Sequence, residues 1–235
     1  MYQERPSTVA GAVLWRYRAP EHPGERRVLP DGCMDIVWTR GGLLVAGPDT
    51  TAQLVRETSG DVHAGLRFAP GRGPVVLGAP AAELRDARVP LDQLWPASLV
   101  RRITERVAAA SDPAGALEAD ITALPLREGL ADPVAVEVLA RLRAGAGGSS
   151  GARVRAVAAA VGLSERQLRR RCLVAFGYGP KTLDRVLRLN RALDLVRSGT
   201  PLAEAAARTG YADQPHLTRE VRALTGLPPG ALLDA

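Results

Sequence analysis

From Val9 to Phe68 the apolar residues come in short runs, several alternating with polar positions, and Gly or Pro cuts each run. A two-residue period places one face of a strand against a core. The runs therefore predict strands at Val9–Tyr17, Met34–Thr39, Leu43–Ala46, Ala52–Glu57 and Val62–Phe68. Arg40-Gly41-Gly42 reads as a hairpin turn, and Pro30-Asp31-Gly32 and Gly47-Pro48-Asp49 as further turns. Strands this short at this spacing predict a small β-barrel or sandwich. After Pro96 the period changes. Leu99, Ile103 and Val107 recur at every fourth position, and Asp112-Pro113 and Asp132-Pro133 each pair an N-cap with Pro at the first helical position. Helices are expected over 97–110, 112–124 and 132–144.

A different pattern begins at Val154. Ala158, Gly162 and Leu168 are separated by four and six residues, with Val157, Val161 and Leu163 apolar around them. This is helix-turn-helix spacing: a small residue lets two helices cross, glycine takes the left-handed turn, and the apolar positions pack the pair. Ser164 and Gln167 form a capping box for the second helix, on which Leu168, Cys172 and Phe176 make a buried stripe. Glu165, Arg166, Arg169, Arg170 and Leu173 fall on its other side.

A second copy follows. Thr200-Pro201 opens a helix, and Ala206 and Gly210 repeat the four-residue step. Asp213 then caps a helix with Leu217, Val221 and Leu224 inward and Gln214, Pro215, Thr218, Arg219 and Arg222 outward. Between the copies, the apolar positions from Leu183 to Val196 predict a helix of about 18 residues starting at Pro180. At ~27 Å it is long enough to hold two reading heads nearly one duplex turn apart.

Charge sharpens the division. Residues 1–150 carry 17 Lys and Arg against 18 Asp and Glu, whereas residues 151–235 carry 14 against 7. Only the second half suits a polyanion. Lys181 is the only lysine among 31 basic residues, a bias that high-GC codon usage produces, so Arg richness alone says little. Residues 144–152, AGAGGSSGA, contain nothing that packs a core and read as a tether of roughly 15–18 Å root-mean-square span. The expected division is a β-rich domain with a helical extension over 1–143, a flexible linker over 144–152 and a DNA-binding domain over 153–235. No apolar run approaches the ~18 residues that cross a bilayer. Met1-Tyr2-Gln3-Glu4-Arg5 lacks a signal-peptide layout, so no membrane partner and a cytoplasmic, nucleoid-associated location are expected.

Chemistry in the first half is sparse. Cys33 and Cys172 are the only cysteines, which leaves neither a disulfide scaffold nor a cysteine-rich zinc site. Asp31 and Asp35 flank Cys33 and would raise its thiol pKa, so it reads as a structural residue rather than a nucleophile. His63 alternates with Gly65 and Arg67 on one strand face, as a ligand contact or as a hydrogen-bonded rim histidine. The histidines show no metal-ligand spacing. Gly71-Arg72-Gly73 runs into Pro74, which cannot donate to a phosphate. No catalytic residue, metal or cofactor is predicted. An enzyme that used the basic half to reach DNA, such as one with a methyl-accepting repair cysteine, would need clustered cysteines that this chain lacks. Trp38, His63 and Arg67 are the candidate effector contacts. An apolar pocket around them would mark a sensor, and a filled barrel a simple dimerising module.

The motifs of the second half resemble those of the AraC/XylS family of transcription regulators over residues 153–233. They are Leu163-Ser164-Glu165-Arg166-Gln167-Leu168, Gly177-Tyr178-Gly179-Pro180-Lys181, Leu189-Asn190-Arg191-Ala192, the run from Gly210 to Glu220, and Gly226-Leu227-Pro228-Pro229. Cys172, Leu217 and Val221 depart from the pattern, standing where the family usually has aromatics. The first half is similar to small β-rich domains of some family members through Leu29–Ile36 and Gly65–Gly71. The resemblance implies an α+β chain: a cupin-like sensing or dimerising module, then seven helices with two helix-turn-helix units in successive major grooves. Arg166, Arg169 and Arg170, with Glu165 beside them, would read the first groove, and Gln214, Thr218, Arg219 and Arg222 the second. Lys181 and Thr182, at a helix start, would hold phosphate. The partners implied are promoter DNA, RNA polymerase, a second copy of the chain and a small-molecule effector.

Overall fold

The alternation in the N-terminal half closes into two facing sheets. The computed structural model describes residues 1–22, 24–125, 131–145 and 148–233. Six antiparallel strands form the main sheet in the order β1 (Tyr2–Pro6), β2 (Ala12–Arg18), β7 (Val62–Phe68), β4 (Met34–Thr39), β5 (Gly42–Ala46), β8 (Arg88–Pro90). A second sheet pairs β3 (Glu25–Val28) with β6 (Gln53–Arg56). One face of the main sheet is apolar: Met34, Ile36 and Trp38, Leu43 and Val45, and Ala64, Leu66 and Phe68 are all buried. Helices α1 (Gly73–Leu77), α2 (Ala97–Ala109) and α3 (Pro113–Thr122) cover that face. Strand β1 is held down at Glu118 of α3, which accepts from Arg5, Ser7 Oγ and the Thr8 N–H.

The sequence-predicted strands and helices appear within a few residues of their expected ends. Strands β1, β3 and β8 and helix α1 do not follow from the apolar pattern. Tyr2-Gln3-Glu4-Arg5-Pro6 is exposed throughout, and Glu25-Arg26-Arg27 precedes a single Val. Such edges are held by their neighbours' backbones rather than by an apolar face of their own.

Among the described residues seven helices follow: α4 (Pro133–Ala144), α5 (Ser150–Ala160), α6 (Glu165–Phe176), α7 (Pro180–Arg197), α8 (Leu202–Thr209), α9 (Gln214–Thr225) and α10 (Pro229–Leu233). The first of these, α4, changes the expected division. Its Ala135, Val138, Leu139 and Leu142 pack with Val154, Leu168, Cys172 and Leu183 in the core of the first helix-turn-helix unit. Asp132 caps α4 and pairs with Arg171 of α6 at 2.8 Å. The helix read as an extension of the N-terminal half therefore packs with the C-terminal one. The expected tether is also shorter than read, because Ser149 caps α5 and makes helix of Ser150–Ala152. Residues 146–147 of that segment lie outside the described residues. Its N-terminal edge is fastened by Arg191, which donates to the Arg143 and Gly145 carbonyls at 2.8 and 3.0 Å.

Candidate nucleic-acid interface and N-terminal cavity

The first unit is built by local chemistry. Gly162 takes φ +67° in the turn, and Ser164 and Gln167 close the predicted capping box at 3.0 and 3.3 Å. Leu168, Cys172, Ala175 and Phe176 are buried. Glu165, Arg166, Arg169 and Arg170 are all exposed. A buried bidentate ion pair, Arg153 to Asp184 at 2.8 and 2.6 Å, fastens α5 to α7. No periodicity argument singles it out, since an Arg one residue before an apolar stripe looks like a solvated charge. Arg169 does not project with its neighbours. Its Nη1 lies 2.9 Å from where a Cβ on Gly179, the residue before α7, would stand. Lys181 is exposed and Thr182 half-buried.

The second unit repeats the plan. Gly210 takes φ +79°, Asp213 accepts from the His216 N–H at 2.7 Å, and Leu217, Val221 and Leu224 are buried. Gln214, Pro215, Arg219 and Arg222 are exposed and Thr218 is half-buried. The guanidinium of Arg188 lies 4.2 Å over the Tyr211 ring, and Arg185 pairs with Glu220 at 2.6 Å, so these cations serve the fold. Cys172, Leu217 and Val221 fill their sites without leaving the apolar interior.

A cavity of about 210 Å³ lies between the two N-terminal sheets. Trp15, Arg26, Asp35, His63, Arg67 and Arg88 supply its polar lining, and Val28, Val37, Leu44 and Val55 its apolar walls. His63 and Arg67 thus reach it as expected. Trp38 does not: it shares the strand parity of Met34 and Ile36 and is buried in the core beneath the helices. The aromatics that do line the cavity are Tyr2 and Trp15, and the Trp15 Nε1 donates to Asp35 at 2.7 Å. Two of the arginines are already engaged, Arg26 with Glu57 at 2.6 Å and Arg88 with both oxygens of Asp49. Arg67 is held more loosely, 3.3 Å from Asp35 and 3.7 Å from Asp31, and its Nε makes no directed hydrogen bond.

Burial raises the Asp35 carboxyl to about 6 against the opposing charge of Arg67. Desolvation lowers the pKa of His63, so its imidazole is neutral near pH 7. Desolvation, reinforced by Asp31 and Asp35, holds the Cys33 thiol well up. A larger cleft of about 560 Å³, lined by Gln3, Glu4, Arg5, Arg16 and Asp112 among others, shares Trp15 with the cavity but is not lined by Asp35, His63 or Cys33. Among the described residues no group of three or more His, Cys, Asp or Glu side chains could hold a metal, and no helix is long and apolar enough to cross a membrane.

Two capped units with basic outer faces, strung on one long helix, define a DNA-binding transcription regulator. Residues 157–235 match the helix-turn-helix domain family, so the C-terminal half carries an AraC-type DNA-binding domain. Residues 12–90 match a domain of unknown function (DUF6597). No curated protein matches the chain. Among solved structures it is similar to ToxT of Vibrio cholerae. An apo lysine-to-alanine variant aligns at TM-score 0.51 and 11% identity over 97% of this chain and 99% of that one. ToxT bound to (E)-4-(8-methylnaphthalen-1-yl)but-3-enoic acid aligns at 0.51 and 10% over 99% and 98%. At that identity the likeness is one of fold, and it spans both halves.

Proposed function

We propose that the chain recognises a promoter sequence by placing α6 and α9 in successive major grooves on one face of the duplex. The observation that carries this reading is the repetition itself. Each unit has a capped second helix whose apolar side is buried and whose outer side presents arginines, Arg166 and Arg170 in one and Arg219 and Arg222 in the other. Helix α7, at 18 residues, matches the separation of neighbouring grooves. Arg166 and Arg170 would meet base edges, while Arg169, Lys181 and Thr182 at the start of α7 would hold phosphate.

The N-terminal cavity would take a small acid. One fold neighbour, ToxT, is bound to a butenoic acid derivative. Here Arg67 is the cavity arginine with hydrogen-bonding capacity to spare, above apolar walls. At about 210 Å³ the space is below the ~300–1,000 Å³ of sites for drug-sized ligands, which favours a compact effector. RNA polymerase and a second copy of the chain are further partners of this reading, a nucleoid-associated location is its setting, and the chain would act without catalysis.

Selection of bound duplexes from a random library, followed by footprinting, tests the DNA reading. Two protected half-sites on one face are expected, and a single half-site would overturn it. Calorimetric titration with a panel of short alkanoic and arylalkanoic acids tests the cavity, with binding expected to disappear in Arg67→Ala.

A further inference from the structure

Both recognition helices end against the N-terminal domain, and each end receives an arginine from it. At the second unit Arg27 of β3 donates to the carbonyl of Thr225, the last residue of α9, at 2.6 Å. The Ala52 N–H donates to the Leu224 carbonyl at 2.7 Å, and Leu29 packs against the second unit's apolar cluster. At the first unit Arg85 donates to the carbonyl of Gly177, just past α6, at 3.4 Å. The left-handed caps Gly177 and Gly226 are both in close contact with the N-terminal domain. A Cβ at Gly177 would stand 2.5 Å from Pro48 Cγ, and one at Gly226 3.1 Å from Arg27 Nη1. Between them, Asn190 of α7 donates to the Pro30 carbonyl at 2.8 Å.

A helix C terminus exposes free carbonyls and partial negative charge, so a guanidinium there satisfies acceptors and complements the dipole. None of these contacts covers a reading face. Within the C-terminal half the two units keep separate apolar cores, and α7 is the helix that contributes to both. Their separation thus rests on that helix and on the anchors supplied from outside.

We propose that the N-terminal domain is a spacer that fixes the distance and rotation between the two reading helices. Arg27 and Arg85 are the positioning residues that set which half-site spacing the chain accepts. The inference rests on both units engaging DNA. One base pair of spacing moves a half-site by ~3.4 Å along the axis and turns it by about 34°, more than a doubly anchored pair of helices can follow.

The test uses the full chain and an Arg27→Ala/Arg85→Ala double variant, titrated against the selected site with one or two base pairs added or removed between its halves. The wild type is expected to lose at least about tenfold in affinity at one base pair from the optimum, and the double variant less than about threefold, with base preferences inside each half unchanged. As a measurement independent of affinity, spin labels at Arg155→Cys and Ala223→Cys in a Cys33→Ser background report the distance between units. The distribution should broaden in the double variant. A sharp optimum that survives in the variant with an unchanged distribution would overturn the spacer and leave α7 as the sole ruler, as would a uniform loss at every spacing. A wild type indifferent to spacing would overturn the two-groove reading together with it.

Discussion

Trp15 and Asp35 are joined across an intervening strand. The indole Nε1 on β2 reaches the carboxylate on β4 at 2.7 Å by lying over Gly65 of β7, where a Cβ would stand 2.5 Å from the indole ring. The missing side chain lets an aromatic floor the cavity and deliver a donor to its acid. It also removes that acid from water.

Asp35 makes stability depend on pH in an identifiable window. Its carboxyl rises from 3.8 to about 6 on folding, mainly through desolvation. The folded state therefore holds the proton more tightly, and this stabilising contribution is complete below pH 3.8 and lost as pH rises through about 6. Asp35→Asn keeps an oxygen for Trp15 and abolishes the dependence. Relative to this variant, the wild type should gain up to about 3 kcal/mol between pH 7 and 4, read from denaturant melts. Glu118 acts lower and in the opposite sense. Desolvation opposes its ionisation, but the bonds from Arg5, Ser7 and Thr8 outweigh it and hold the group at about 2, so its contribution disappears only as pH falls from 4.5 through that value.

The Arg153–Asp184 pair is 8% and 0% exposed. Asp184→Ala leaves the guanidinium without its carboxylate inside the first unit and is expected to cost ~3–5 kcal/mol. Replacing both residues by apolar ones of similar volume should cost far less. Urea denaturation of the two variants distinguishes the penalty of a stranded charge from a net contribution by the pair.

The first reading head should separate base contacts from phosphate contacts. Arg170 projects from the open face of α6, so Arg170→Ala should lose ~1–3 kcal/mol and relax preference at one or two base pairs. Arg169 lies against Gly179, and Lys181 stands at the same helix start. Loss of either should weaken all sequences alike and lower the log–log salt slope by about 1. Binding to the selected site and to an unrelated duplex across a salt series measures both.

A fragment of residues 131–235 should fold alone, and one of 151–235 should not. The shorter fragment loses Ala135, Val138, Leu139 and Leu142 from the first unit's core, together with the Asp132–Arg171 pair. Four buried apolar side chains are a large share of a small domain's ~5–15 kcal/mol stability. A cooperative thermal melt by circular dichroism in the longer fragment alone is the expected result.

The C-terminal half was legible because its determinants are local. Ser164, Asp213, Gly162 and Gly210 act within a turn of where they stand, so their spacing reports the structure directly. The N-terminal strands were legible where an apolar parity existed and hidden where pairing is supplied by a neighbour, as at Glu25–Val28. Trp38 was misplaced although its parity with Ile36, opposite Asp35, carried the information. Which face meets the helices and which the cavity is a long-range fact. The same holds for α4, whose apolar stripe says that it packs but not against which core.

The bond from Arg27 to Thr225 spans 198 residues of sequence. It has a bearing on modularity. The two halves look like interchangeable parts, a sensor and a reader that could be recombined with those of relatives. Yet a transplanted N-terminal domain would meet Gly226 and Gly177, two left-handed caps whose bare backbone leaves room for Arg27, Pro48 and Ala81 of this one. A hybrid lacking those matches would keep both its parts folded and lose the geometry that makes them one reader.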